Sequence, residues 1–253
     1  MWVVGLLLLL TGAGLGIGYR VQRRRLGALL QADQNTLATV QSIAQDLGTL
    51  NYVTGIRGEV VCDQPLTSQL AQEKCVYYQM TVTRQYEETR WETDADGRRN
   101  PKTERGSRVE TQHQRHVPFL LRDSSGTLHV RPDGAEFIGE TFLSRFEPAN
   151  QPSFRVGGFN LQVAGHPTGG QRTLGYQLEE KGIPVGREVF VLGEVINEEG
   201  RLLMRRPGQG RFVISLKPVE ELIRGGQAAA QGLLWGAVGS GGLGLVLLIV
   251  GLV

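Results

Sequence analysis

Cys75-Val76-Tyr77-Tyr78-Gln79-Met80-Thr81-Val82-Thr83-Arg84-Gln85-Tyr86 sets Val76, Tyr78, Met80, Val82 and Tyr86 against Tyr77, Gln79, Thr81 and Thr83. A period of two in a run of β-branched and aromatic residues is the pattern of a half-buried strand. By its apolar company Tyr78 is expected inward, and Tyr77, on the opposite face, is the tyrosine left for contacts. Working outward, Asp96-Gly97 is a hairpin-type turn after which Arg108 to Leu121 returns, and Ser125-Gly126 turns into Thr127 to Arg131. An antiparallel meander is expected. Its tip, Arg84 to His116, is crowded with charges of both signs, so it should project into water as a long twisted ribbon or a partly disordered loop. Glu87, Glu88, Glu92, Glu104 and Glu110 would repel phosphates, so nucleic acid is not an expected partner even though Tyr86 and Trp91 are able to stack on bases.

Further on, Pro148 to Gly175 has the Pro/Gly-rich composition of a connector. Glu188 to Val195 reads as a strand, Asn197 to Gly200 as a turn and Arg201 to Arg205 as the partner, with Phe212 to Leu216 adding another. Glu179 to Gly186 resembles the approach to a small-barrel strand, where Gly permits close backbone contact and Pro184 is tolerated. There is no βαβ rhythm. The fold class is therefore mainly β, built of antiparallel hairpins, with a small barrel as the form they would close into. Pro218 to Ile223 starts a last short helix, with Glu220 and Glu221 in its first turn.

Both ends differ in kind. Gly232 to Val253 and Met1 to Tyr19 carry no charged side chain. At about 1.5 Å per helical residue, runs of this length reach roughly 27 to 33 Å, against a hydrocarbon core of about 30 Å. The mean hydropathy of -0.16 hides them because the middle is polar. An N-terminal apolar run is also the form of a secretory signal, but a signal carries its basic residues before the run, whereas Arg20, Arg23, Arg24 and Arg25 follow it. That is the charge order of an uncleaved anchor. With Arg224 before the second run, it predicts an integral membrane protein of two spans, the middle domain cytoplasmic and both termini outside. Gly232, Gly236, Ser240 and Gly244 recur every four residues, and Gly12 and Gly16, with Gly14 and Gly18, offer a matching groove for helix packing.

Between the spans, Leu30, Leu37, Val40, Ala44 and Leu47 recur at helical spacing within Leu26 to Leu47, with Gly48 as the stop. This amphipathic helix packs on the β-domain or forms a short coiled-coil seam with another copy. The expected domains are an anchor over 1–21, a juxtamembrane helix over 22–50, a β-rich domain over 53–224 and a second span over 232–253. A net charge of +2 is too balanced for a polyanion binder. Cys62 and Cys75 are too few for a disulfide scaffold and read as buried small hydrophobes. Zinc would need ligands from these and His113, His116, His129 or His166, without any Cys-x-x-Cys, so no metal is expected.

Gly58-Glu59-Val60-Val61, Pro65-Leu66-Thr67-Ser68, Cys75-Val76-Tyr77-Tyr78, Val117-Pro118-Phe119, Leu121-Arg122-Asp123 with Gly126, and Pro184-Val185-Gly186 with Leu192 to Val195 together resemble the GIDE, or beside-a-membrane, domain of the mitochondrial ubiquitin ligase activator family. The resemblance covers about Val53 to Arg224 and extends to a span on each side. It implies that Gly58, Val60, Pro65, Leu66, Cys75, Tyr77, Tyr78, Pro118, Phe119, Asp123 and Gly126 are signature residues with structural roles. It also suggests E3 ubiquitin-protein ligase activity, but a RING needs eight Cys/His ligands and these 253 residues hold two Cys and four His. No Gly-x-Ser-x-Gly elbow or phosphate loop occurs, and Glu179, Glu180 and His129, the acid and base candidates, are not distinguishable in the sequence from an ordinary solvated face. The expected function is a membrane-apposed interaction module without autonomous catalysis or cofactor, whose partners are membrane lipid and another protein or itself. The alternatives are a RING-less member of a ligase-like family acting with a partner, and a membrane-anchored hydrolase.

Overall fold

Strands dominate between the two apolar helices, as the alternating patterns require. The computed structural model describes residues 2–31, 34–47, 51–93, 97–150, 153–162, 171–198 and 200–252. Asp96, Gly48 and His166, and the side chains of Leu30, Ala44 and Leu47, lie outside what is described. In chain order the elements are α1 (Trp2–Gln31), β1 (Gln34–Asn35), α2 (Leu37–Leu47), β2 (Asn51–Val61), β3 (Leu66–Thr67), β4 (Lys74–Thr93), β5 (Arg99–His116), β6 (Phe119–Asp123), β7 (Gly126–Val130), β8 (Glu136–Ile138) and β9 (Glu140–Pro148). There follow β10 (Ser153–Val156), β11 (Phe159–Gln162), β12 (Gln171–Pro184), β13 (Glu188–Glu198), β14 (Arg201–Arg205), β15 (Val213–Ser215) and α3 (Val219–Leu252).

Five strands close on themselves. β2 pairs antiparallel with β6, β6 with β7, β7 runs parallel to β14, β14 pairs with β13, and β13 returns to β2 from Glu188↔Glu59 to Ile196↔Asn51. This is a five-stranded Greek-key barrel of the OB kind. Ile56, Val60, Leu121, Leu128, Val191, Val195 and Met204 fill it. Leu37 and Val40 of α2 are fully buried in the same core, each stabilising by about 1.5 to 3 kcal/mol on transfer from water. β15 and β8 extend the sheet beyond β13.

A second sheet lies alongside, with β5, β4, β12 and β9 all antiparallel in that order and β3 on the β5 side of β4. β4 and β5 form the expected ribbon, paired out to Thr93↔Arg99, with Gly97 at φ +77° in the turn. Met80, Val82, Tyr176 and Leu178 form this sheet's core with Leu70 and Val156.

Several expectations are corrected. The meander is split between two sheets: the return leaves β4 at Val117, whose N–H still bonds Val76 O at 3.0 Å, and enters the barrel as β6. Pro118 falls at this switch, where a missing N–H costs no rung. The juxtamembrane helix is two helices. α1 runs without a break past the arginines to Gln31, and Thr36 Oγ1 caps α2 by accepting from Thr39 N at 3.3 Å. Asn35 Nδ2 donates to Thr54 Oγ1 at 3.0 Å, fixing the intervening strand on β2. The Pro148 to Gly175 connector contains the β10–β11 hairpin. The last short helix is the first turn of α3, which continues through the second apolar run. Finally, Tyr77 is buried like Tyr78, at 5% and 2% exposure. The β12 register passes from Tyr77↔Ile183 to Cys75↔Pro184, skipping Val76, and this bulge turns Val76 and Tyr77 both toward the barrel core. Tyr77 stacks on Phe137 with ring centroids 3.8 Å apart.

Candidate functional site

Two of the signature residues, Gly58 and Asp123, organise backbone. At Gly58 a Cβ would lie 2.7 Å from Arg122 O, so β2 approaches β6 as closely as it does only without a side chain there. Val60 and Phe119 are core, and Leu66 pairs with Cys75. Asp123 joins three elements. Its Oδ1 accepts from Ser125 N at 2.7 Å, Ser125 Oγ at 2.6 Å and Gly126 N at 3.1 Å, shaping the β6–β7 turn, while Oδ2 accepts from Leu37 N at 3.0 Å, capping α2 across 86 residues of sequence. Burial pushes this carboxyl up, but the bonds from the Ser125 side chain and from the amides of Leu37, Ser125 and Gly126 outweigh it and hold Asp123 below the usual carboxylate range.

Glu180, which the sequence does not distinguish from a solvated face, is wholly buried. Its Oε1 accepts from Gln69 N at 2.8 Å and Leu70 N at 3.0 Å, and its Oε2 from Leu70 N at 3.1 Å and Ala71 N at 2.7 Å. Three consecutive amides thus converge on one carboxylate, holding the loop that follows Pro65-Leu66-Thr67-Ser68 against β12. Gly157, at φ +56°, presses on Leu70 O from the β10–β11 turn, and Gly158 N donates to Gln69 O at 2.8 Å. Cys75 lies behind this loop. Burial first, then the carboxylates of Glu180 and Glu73, push its thiol up to about 12. Cys62, by contrast, is partly exposed, and its Sγ donates to Pro118 O at 3.7 Å.

The concave feature built from signature residues lies on the barrel. Val61, Cys62, Asp63 and Gln64, with Val117, Pro118, Phe119, Leu120, His129, Val130, Arg131 and Leu203, line a cavity of about 530 Å³. A second hollow of about 280 Å³ shares His129, Arg131 and Leu203 and adds Glu198, Arg201 and Leu202, so the two form one groove. The groove follows the parallel seam of the barrel, where β7 and β14 share only the rungs Leu203↔His129 and Met204↔Val130, extended by Arg131 N to Met204 O at 2.9 Å. Apolar Val61, Phe119, Val130 and Leu203 line it together with His129, Arg131 and Glu198, the last two 3.5 Å apart. Among the described residues no group of three His, Cys, Asp or Glu has the geometry of a metal site.

At the helices, the structure places Gly12 against α3, where a Cβ would meet Gly241 N and Ser240 Oγ at 3.1 Å and Ala237 O at 3.2 Å. A Cβ on Gly236 would lie 3.1 Å from Leu15, and a Cβ on Gly244 or Gly5 would lie 2.9 Å from the other's carbonyl oxygen. A Cβ on Gly14, Gly16 or Gly232 would meet open space, and Gly5 enters the contact unanticipated. The helices are antiparallel neighbours whose outer faces expose Leu7, Leu10, Ile17, Trp235, Leu245 and Ile249. Both are long and apolar enough to cross a membrane. α3 is also rooted in the barrel, since Val219 packs with Phe190, Leu192 and Val213.

The fold is thus a barrel-containing β-domain carried on two helices of membrane-spanning length. The chain belongs to the GIDE family, whose sequence profile, described as E3 Ubiquitin ligase, matches residues 87–249. The match begins after the Gly58 to Tyr78 signature and includes most of α3. Among curated proteins, the E3 ubiquitin-protein ligase SPL1 of Arabidopsis thaliana is 21% identical over 177 residues, covering 68% of this chain and 47% of the relative. The chain therefore spans about half the length of the relative it matches. No solved structure matches it.

Proposed function

We propose that this chain is a membrane-anchored recognition module whose groove along the β7–β14 seam receives a segment of a partner protein. The observation that carries the reading is the groove itself: apolar Val61, Phe119, Val130 and Leu203 line it beside polar and charged Asp63, Gln64, His129 and Arg131, and signature residues Pro118 and Phe119 are part of that lining. Mixed character of this kind suits a peptide segment, with an apolar anchor against the first set and hydrogen bonds to the second. Its protein-binding character also agrees with the ligase-like family. In this reading α1 and α3 span the bilayer, and the arginines at Arg20 to Arg25 together with Arg224 put the domain on the cytoplasmic side with both termini outside.

A photo-crosslinking residue at His129 or Arg201 tests the groove in native membranes. Discrete adducts should form there, disappear with Leu203→Asp, and not form from a probe at exposed Arg99 on the ribbon. The same adducts from all three positions would refute the reading. Orientation is tested with Gly97→Cys, which should react with an impermeant reagent only after permeabilisation.

A second reading is favoured by the family match: the module takes part in ubiquitin transfer, with the RING supplied from outside these 253 residues. Its test is ubiquitin discharge from a charged conjugating enzyme by the purified chain with and without a co-purifying RING protein. Discharge only in the latter's presence supports it.

A further inference from the structure

Where the two helices leave the apolar zone they do not close on each other. A Cβ on Gly18 would still lie 3.7 Å from Leu233, and one on Gly226 would meet Leu26 at 2.7 Å. Between these levels lies a notch of about 490 Å³ lined by Tyr19, Arg23, Leu26, Gln227, Gln231 and Leu234. We propose that this notch binds the phosphate of an anionic phospholipid headgroup.

Three observations converge. The polar lining consists of a guanidinium, two carboxamides and a phenol, a donor-rich set that contains no carboxylate. Arg23 sits with its guanidinium carbon 5.9 Å from the Tyr19 ring centroid, which directs the cation along the helix toward the notch's edge. No Asp or Glu occurs anywhere in α1, and α3 has none after Glu221, whose carboxylate is already taken by Lys217 at 2.6 Å. Among the described residues no carboxylate pairs with Arg20, Arg23 or Arg224, so these cations are left to be neutralised from outside the protein.

Height selects the source of the anion. Leu234 forms the apolar floor of the notch and Trp235 beside it is 73% exposed, so anything seated on the arginine extends downward among acyl chains. A phosphodiester carrying two acyl chains places charge and hydrocarbon at the required levels, and a basic pocket between helices at the membrane boundary is a recurrent headgroup site. An acidic protein segment would match the charge but not the floor.

The proposal rests on the reading that α1 and α3 span the bilayer, and the experiment separates the two. The chain with both helices is tested for resistance to alkaline extraction, which reads the span. It is then purified from membranes into mild detergent containing equal phosphatidylglycerol and phosphatidylcholine, and retained lipid is measured by native mass spectrometry. Wild type should retain phosphatidylglycerol in preference, and Arg23→Gln should lower that preference about fivefold, the weight of one cation at a membrane surface. Gln231→Leu should lower it less, and Arg99→Gln, an equal loss of charge on the ribbon, should leave it unchanged. Millimolar inorganic phosphate should not displace the lipid. Equal retention of both lipids, an unchanged preference in Arg23→Gln, an equal loss in Arg99→Gln, or displacement by phosphate overturns the site while leaving the span standing. Release by alkali overturns both.

Discussion

Replacing Glu180 by Gln isolates the contribution of the buried carboxylate. The two side chains have the same shape, but one of the two oxygens that together accept from Gln69, Leu70 and Ala71 becomes an NH₂ group. Whichever way the carboxamide turns, the amide of Gln69 or Ala71 faces a donor. The charge-assisted bond lost is worth about 1.5 to 3 kcal/mol, and the orphaned buried donor costs about 1 to 3 more. Against this, a neutral amide is easier to bury than a carboxylate. The net loss should be about 3 kcal/mol, a fall in Tm of roughly 6 to 12 °C for a domain of this size. Circular dichroism melts of the full chain in bicelles measure it, with Glu179→Gln, the exposed neighbour, expected within about 0.5 kcal/mol of wild type. The variant should also be cut faster by protease between Thr67 and Lys74. A Glu180→Gln melt within about 2 °C of wild type would refute the role assigned to this carboxylate.

Three further outcomes are expected. Because the folded pKa of Asp123 is depressed, its stabilisation is present above the ordinary carboxylate value of about 3.9 and is lost as pH falls through the folded value; Asp123→Asn should flatten the acid limb of a stability-against-pH curve and weaken the α2 cap by about 1 to 2 kcal/mol at pH 7. With its thiol pushed up to about 12, Cys75 should stay unmodified by maleimide at pH 8 while partly exposed Cys62 reacts, and mass spectrometry of peptides should find Cys75 labelled only after denaturation. Gly12→Ile should abolish a disulfide crosslink engineered between α1 and α3, since backbone atoms of α3 stand in the way, whereas Gly14→Ile, facing open space, should leave it intact; equal crosslinking in both would show that the glycines do not set the packing.

What was legible in the sequence was local. The period of β4, the turn at Gly97, the β13–β14 hairpin and the two apolar helices each announce themselves within a few residues, because side-chain alternation, φ > 0 and unbroken hydrophobicity are properties of neighbours. Glu180 could not be found this way. It stands in Glu179-Glu180-Lys181, a run that looks solvated, and only the arrival of Gln69 to Ala71, 109 to 111 residues away, makes burial affordable. Tyr77 was misplaced because strict alternation ignores a bulge, and the bulge at Val76 is set by β12 rather than by β4's own residues. The groove was invisible for a related reason: its walls come from four separate strands or strand ends, and Cys62, Pro118, His129 and Leu203 show no spacing that links them. Asp123 is intermediate, since Asp-Ser-Ser-Gly signals the turn while its bond to Leu37 does not show in the sequence.

The closure of β2 on β13 has a consequence for the order of synthesis. Translated at about 5 to 20 residues per second, the chain leaves β2 without its long partner for roughly ten seconds, while β4 and β5 are able to zip together within microseconds. The last wall of the barrel emerges just before α3, whose Val219 packs on Phe190 and Leu192 of that wall. The newborn protein therefore holds an open, sticky half-barrel until α3 is being made, and completion of the domain and placement of that helix become a single event.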